Sequence, residues 1–176
     1  MAYAVDLAEL EKALQALTEF GVVPRITRML EPQRGAVGSS LRGIVLAEIP
    51  AFSASGNPEV LPDLERHAGE HIGEILRLLG GGAVGNFDFV RAHAQRRAEQ
   101  HFPLDATLHA YRCGHKVFSH WIRDGAAAAR PGSAERIVSA VADFAIEYTN
   151  SISIILAAEY VARTRVLAEA EGDRRT

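Results

Sequence analysis

The sequence has few of the features that brace a small domain from outside its core. A single cysteine, Cys113, among 176 residues leaves no internal disulfide to form and points to a reducing, cytoplasmic setting. Charge of one sign is not in excess either, with 19 Lys and Arg against 22 Asp and Glu for a net charge of −3. Such a balance gives no global attraction to nucleic acid or to an anionic membrane. The first twenty residues hold no basic cluster, and Asp6, Glu9, Glu11 and Lys12 fall where a signal peptide needs its apolar run. The most apolar window, Phe144 to Ala162, is interrupted by Glu147, Asn150 and Glu159, and reads as a core helix rather than a membrane span. Alternating apolar and polar runs bounded by turns are missing, so no strand is expected.

What the chain does have is 48% apolar side chains set at helical spacing, enough for one core without metal or disulfide support. The expected fold is an all-α bundle of about five to seven helices, with a globin-like arrangement among its possible forms. Asp6 can cap a first helix that carries Leu7, Leu10, Leu14 and Leu17 inward and stops at Gly21. A second helical region, about Pro24 to Ile49, should kink at Pro32. Ser53 to Pro58 is a loop, followed by a helix from about Glu59 or Pro62 to Leu79 that ends in the run Gly80-Gly81-Gly82. Asn86 can cap a helix to about Phe102, and Pro103 forces a break or opens the next. From there Leu104, Leu108, Tyr111, His115, Phe118 and Ile122 recur three and four apart, the seam of a helix packed along its length. Arg130-Pro131-Gly132 closes that element and Ser133 caps the last helix. With no Gly or Pro before Gly172, the last helix can reach ~60 Å at 1.5 Å per residue.

Three segments could carry chemistry. Gly80 to Gly85 matches G-x-G-x-x-G, but a helix rather than a strand precedes it, so an interhelix loop is expected there. His67-Ala68-Gly69-Glu70-His71 matches H-x-x-E-H, in which two histidines one turn apart share a zinc and a carboxylate activates water. This makes His67, His71 and Glu70 the alternative metal set, of a helical hydrolase, although the pattern favours half-exposed surface histidines flanking the apolar stripe. The third segment, His101 to Trp121, is the densest in polar and aromatic groups. Tyr111 and His115 lie on the packed seam with Arg112 beside them. These residues, with His109 and Trp121, are the candidate ligand-binding set, and an internal network to Asp143, Glu147 or Tyr148 is the structural alternative. His115 or His109 could also serve as the axial ligand of a haem, the second alternative function. No catalytic residue and no cofactor is expected, and Cys113 reads as a small buried thiol packed with Ala106, Ala110 and Val117.

The run Pro103-Leu104-Asp105-Ala106-Thr107-Leu108-His109-Ala110-Tyr111-Arg112-Cys113-Gly114 resembles the "P-L-x-A-L-L-x-A-Y-R-x-G" signature of the N-terminal domain named after the RsbT co-antagonist protein RsbRD. In actinobacteria that domain is commonly attached to PucR-type transcription regulators. Leu46 to Phe52 is similar to the family's "A-E-I-P-x-Y" element, and Glu159 to Arg175 to the helix leading into its downstream domains. Two positions depart from the pattern: His101 stands where relatives often have Gly, and Cys113 where an aliphatic residue is usual.

The resemblance implies a non-enzymatic helical input domain that senses a signal or mediates association while a separate effector delivers the output. On this reading residues 1–176 form one sensor domain, with 163–176 the start of a connecting helix. A homodimer responding to a small molecule or protein is expected, with no contact of its own to nucleic acid or membrane.

Overall fold

The computed structural model describes residues 5–21, 23–129 and 134–175. The chain is 83% helical, with no strand among the described residues, and a long helix closes it. The elements are α1 (Ala8–Glu19), α2 (Val23–Leu30), a 3-10 turn (Glu31–Gln33), α3 (Arg34–Glu48), the one-turn α4 (Pro50–Ser53), α5 (Val60–Leu79), α6 (Asp88–Glu99), α7 (Leu104–Ala129) and α8 (Ala134–Asp173).

Local sequence explains most of these boundaries. Asp6 Oδ1 accepts the Ala8 N–H at 2.9 Å and opens α1, as its position predicts. Pro32 breaks the second helical region at the 3-10 turn, while Pro50, at the first position of α4, restarts the chain after the extended Ile49. At the end of α5, Gly82 N–H bonds back to Arg77 O at 2.9 Å and Gly81 N–H to Leu78 O at 3.1 Å, with Gly81 at φ 102°. The end of α6 repeats the pattern: Phe102 N–H reaches Arg97 O at 2.9 Å and His101 N–H reaches Ala98 O at 3.0 Å. Here the left-handed position, φ 52°, is filled by His101 rather than by glycine.

One detail differs from expectation. The residue ahead of α6 is Phe87, at φ 54°, rather than Asn86. Its ring is buried against Phe89 and Tyr148, so tertiary packing sets this entry and not a side-chain cap. The expected stop at Arg130 to Gly132 and the cap at Ser133 lie outside the described residues.

α8 packs against α7, α6 and α1; α7 packs also on α2 and α3, and α5 lies against α3 and α2. One apolar cluster runs through all of them, from Leu10 and Leu17 to Ile155 and Leu156. By length and composition the helix from 135 to 173 could cross a membrane, but half of its apolar window is buried inside the protein. Phe144, Tyr148, Ile152, Ile155 and Leu156 face the core, and from Val161 onward the side chains are mostly exposed. Polar contacts fix the transition: Tyr160 O–H donates to Phe102 O at 2.7 Å, and Arg163 pairs with Glu99 at 2.6 Å.

Candidate functional site

A polar cluster lies inside the core where α5, α6, α7 and α8 meet. His67 and His71 stand one turn apart on α5 and point inward, 4% and 3% exposed. The expectation of half-exposed histidines is therefore corrected. Counted with Leu64, Ala68, Ile72 and Ile75, they occupy the buried stripe itself. His93 of α6 stacks on His67, the rings 3.6 Å apart and 6° from parallel. His67 Nε2 lies 2.9 Å from Tyr111 Oη of α7 and 2.9 Å from His71 Nε2. His71 Nδ1 lies 2.8 Å from Tyr148 Oη of α8, and His67 Nδ1 lies 3.0 Å from Glu70 Oε2.

These contacts constrain the protons. The Glu70 carboxylate must receive an N–H, which assigns a proton to His67 Nδ1 and leaves His67 Nε2 a single lone pair. Both Tyr111 O–H and His71 Nε2–H aim at that lone pair, while Tyr148 O–H donates to His71 Nδ1. With every ring neutral, two donors thus compete for one acceptor. An added proton on His67 would reverse the direction of donation toward Tyr111 and His71. Burial opposes that proton: it holds His67, His71 and His93 well below the ordinary histidine value, and the Arg97 and Arg96 cations depress His67 and His93 further. Burial likewise pushes Tyr111 and Tyr148 well up, keeping both phenols as donors.

Arg97 of α6 completes the cluster. It is fully buried, and its pKa is lowered to about 10, first by desolvation and then by Arg96, so it remains a cation. Its guanidinium carbon lies 4.7 Å from the Phe102 ring centre and 5.4 Å from that of Phe52. Nη1 donates to Gln100 Oε1 at 3.1 Å, and Gln100 Nε2 in turn donates at 2.7 Å to the buried Asp63, a carboxylate that also pairs with Arg66 and Arg96. Arg97 Nε and His93 Nδ1 have no hydrogen-bond partner among the described residues.

Both residues line one cavity of about 40 Å³, together with His67, His71, Tyr111 and Tyr148. A single water needs ~10–15 Å³ on this measure, so the space suits water-sized or similarly small polar molecules. A porphyrin does not fit in it.

The candidates read from the sequence are divided by this geometry. Tyr111 is in the cluster. His115 lines the same cavity, with Nδ1 3.0 Å from Thr149 Oγ1 and 3.3 Å from Ala145 O, where an Nδ1–H can donate. Arg112 is exposed on the outer side of α7, in a shallow groove with Leu108, Lys116, Ile146 and Glu147. His109 faces Glu48 of α3 at 3.5 Å. Trp121 is buried but does not line the cavity. The alternative metal set does not converge: Glu70 meets His67 at Nδ1 while His71 meets it at Nε2, on opposite edges of one ring.

His93 and Arg97 are the residues that sequence reading missed. The signal was their spacing: they fall on the same face of α6 as the buried Val90, Ala94 and Ala98.

No curated protein and no solved structure matches the chain. A family model does, over residues 36–175, which span α3 to α8 and every residue of the buried cluster. The chain belongs to the RsbT co-antagonist protein rsbRD N-terminal domain family, and so to the domains of regulatory stress-response signalling.

Proposed function

We propose that this chain is a non-enzymatic signal-input domain whose receiving element is the buried His-Tyr-Arg cluster. The single observation that carries this reading is the pair of buried, unpartnered groups, Arg97 Nε and His93 Nδ1, on the wall of one cavity. An unsatisfied buried polar atom costs about 1–3 kcal/mol, which a ligand supplying the missing hydrogen-bond partners would recover. The cation and the volume favour a small anion or a neutral molecule of that size. Because the cluster draws one side chain or more from each of α5, α6, α7 and α8, a change in its hydrogen bonds biases how those helices pack. A differential affinity worth about 1–3 kcal/mol is enough for useful coupling.

α8 carries the change out of the bundle toward an effector, as in regulators of the PucR type. Its exposed apolar positions Ile146, Ile154, Val161 and Val166 suit a second copy, giving a dimer.

Gly114 supplies the test. It lines the cavity, and a Cβ there would meet only Phe118, at 3.5 Å, an ordinary contact. Gly114→Ala should therefore gain up to ~1 kcal/mol of helix stability while reducing the space for a ligand. Small anions such as formate, nitrite and nitrate would be titrated while the Tyr111 and His93 resonances are followed by NMR. Saturable shifts that weaken in Gly114→Ala and His93→Gln are expected. Absence of saturable binding by the whole panel, or binding indifferent to both substitutions, would overturn the reading.

A further inference from the structure

On the opposite side of α7 from the buried cluster, three metal-ligand types come together. His109 and Cys113 are one turn apart on α7, and Glu48 reaches them from the last residue of α3. Glu48 Oε2 lies 3.5 Å from Cys113 Sγ and 3.5 Å from His109 Nε2, and all three ligand atoms are within 4.8 Å of one another. Bond lengths of about 2.3 Å to sulfur and 2.0–2.1 Å to nitrogen or oxygen put the edges of a tetrahedral zinc site at ~3.3–3.6 Å. The two measured Glu48 separations fall in that range without any movement of the helices.

We propose that Glu48, His109 and Cys113 form a site for a thiophilic divalent cation, zinc by its ligand chemistry, with the fourth position left to water. The donor set selects the metal. A thiolate and an imidazole disfavour magnesium and calcium, which take oxygen ligands, and suit zinc. Cys113 is 1% exposed, whereas the His109 and Glu48 side chains are 38% and 44% exposed, so the sulfur lies at the floor and the open side faces solvent. Binding replaces the thiol proton by the metal–sulfur bond and releases that proton to water. The bound metal ties the end of α3, just ahead of the break at Ile49 and Pro50, to the first half of α7. It is a separate site from the cavity, on separate residues, and stands or falls independently of the function proposed above.

The test uses the full chain purified without a histidine tag, titrated with zinc chloride by calorimetry and with cobalt chloride by absorbance. One equivalent should bind, cobalt should produce the near-ultraviolet charge-transfer band of a thiolate ligand, and zinc should raise the melting temperature. Cys113→Ser should remove the band and weaken zinc by at least about tenfold, with His109→Ala and Glu48→Gln weakening it comparably. If Cys113→Ser does not fold, the other two variants carry the test, since both lie at half-exposed positions. Two results would overturn the assignment: no saturable binding to the folded chain, or binding that His109→Ala and Glu48→Gln leave unchanged.

Discussion

His101 shows how a single backbone angle can hold unused stability. It sits at the left-handed position of the turn that ends α6, where two backbone hydrogen bonds demand φ near +52°. A side chain with a Cβ is strained there by about 1–2 kcal/mol and glycine is not, although glycine loses more entropy on folding. The equivalent position after α5 is Gly81. His101→Gly should therefore raise stability by ~1 kcal/mol, measured as a higher midpoint in urea at unchanged slope. The same scale separates what the sequence could reveal from what it could not. Tyr111 and His115 were legible because they fall on a regular apolar seam. His67 and His71 were not, because histidine is polar enough to be placed at a surface when its partners, Tyr111 and Tyr148, lie 44 and 77 residues away. Arg112 looked like the important guanidinium because it adjoins Tyr111, yet adjacent helical positions point about 100° apart, and the buried guanidinium is Arg97.

Helix ends are legible in the sequence at Gly21, Pro32, Gly80 to Gly82 and Pro103, where Gly or Pro punctuates the described residues. They were read less well where packing decides, as at Phe87, whose buried ring holds a strained entry to α6. Contacts between elements were illegible for the same reason. Gly125 of α7 looks like one more small residue in an alanine-rich stretch. In the fold it is the point where α2 crosses, and a Cβ there would come within 2.6 Å of Leu30 Cδ2 and 3.6 Å of Ile26 Cγ2. Leu30 and Ile26 are both fully buried, so the shift that Leu30 must make disturbs packed neighbours. Gly125→Ala should cost about 1–3 kcal/mol despite alanine's better helix propensity. Thermal denaturation checks this, with Gly114→Ala on the same helix as the contrasting case.

At the scale of the whole molecule, three neutral histidines in one core make stability depend on pH. Unfolded, each takes up a proton near the ordinary value of 6.5; folded, each is held well below it. The unfolded state therefore binds more protons below about pH 6.5, and stability falls as pH drops through that range toward the depressed folded values. The groups around the rings act in both directions. Glu70 favours the charged form of His71, while Arg66, Arg96 and Arg97 resist protonation of His67. The limiting slope is about 1.4 kcal/mol per pH unit for each histidine, or about 4 kcal/mol for the three. Denaturation midpoints between pH 7 and pH 5 should fall accordingly, and His93→Gln should reduce the slope by about a third; a flat profile would contradict the protonation states assigned above.

α8 also gives the bundle mechanical reach. Arg163, which pairs with Glu99, lies ten residues before Asp173, which is ~15 Å of rod carried beyond the packed part of the helix. Tilting that rod by about 8° where it leaves the bundle sweeps the far tip through about 2 Å, so in the relay proposed above a small rearrangement near Tyr160 becomes a step large enough to make or break contacts at the tip.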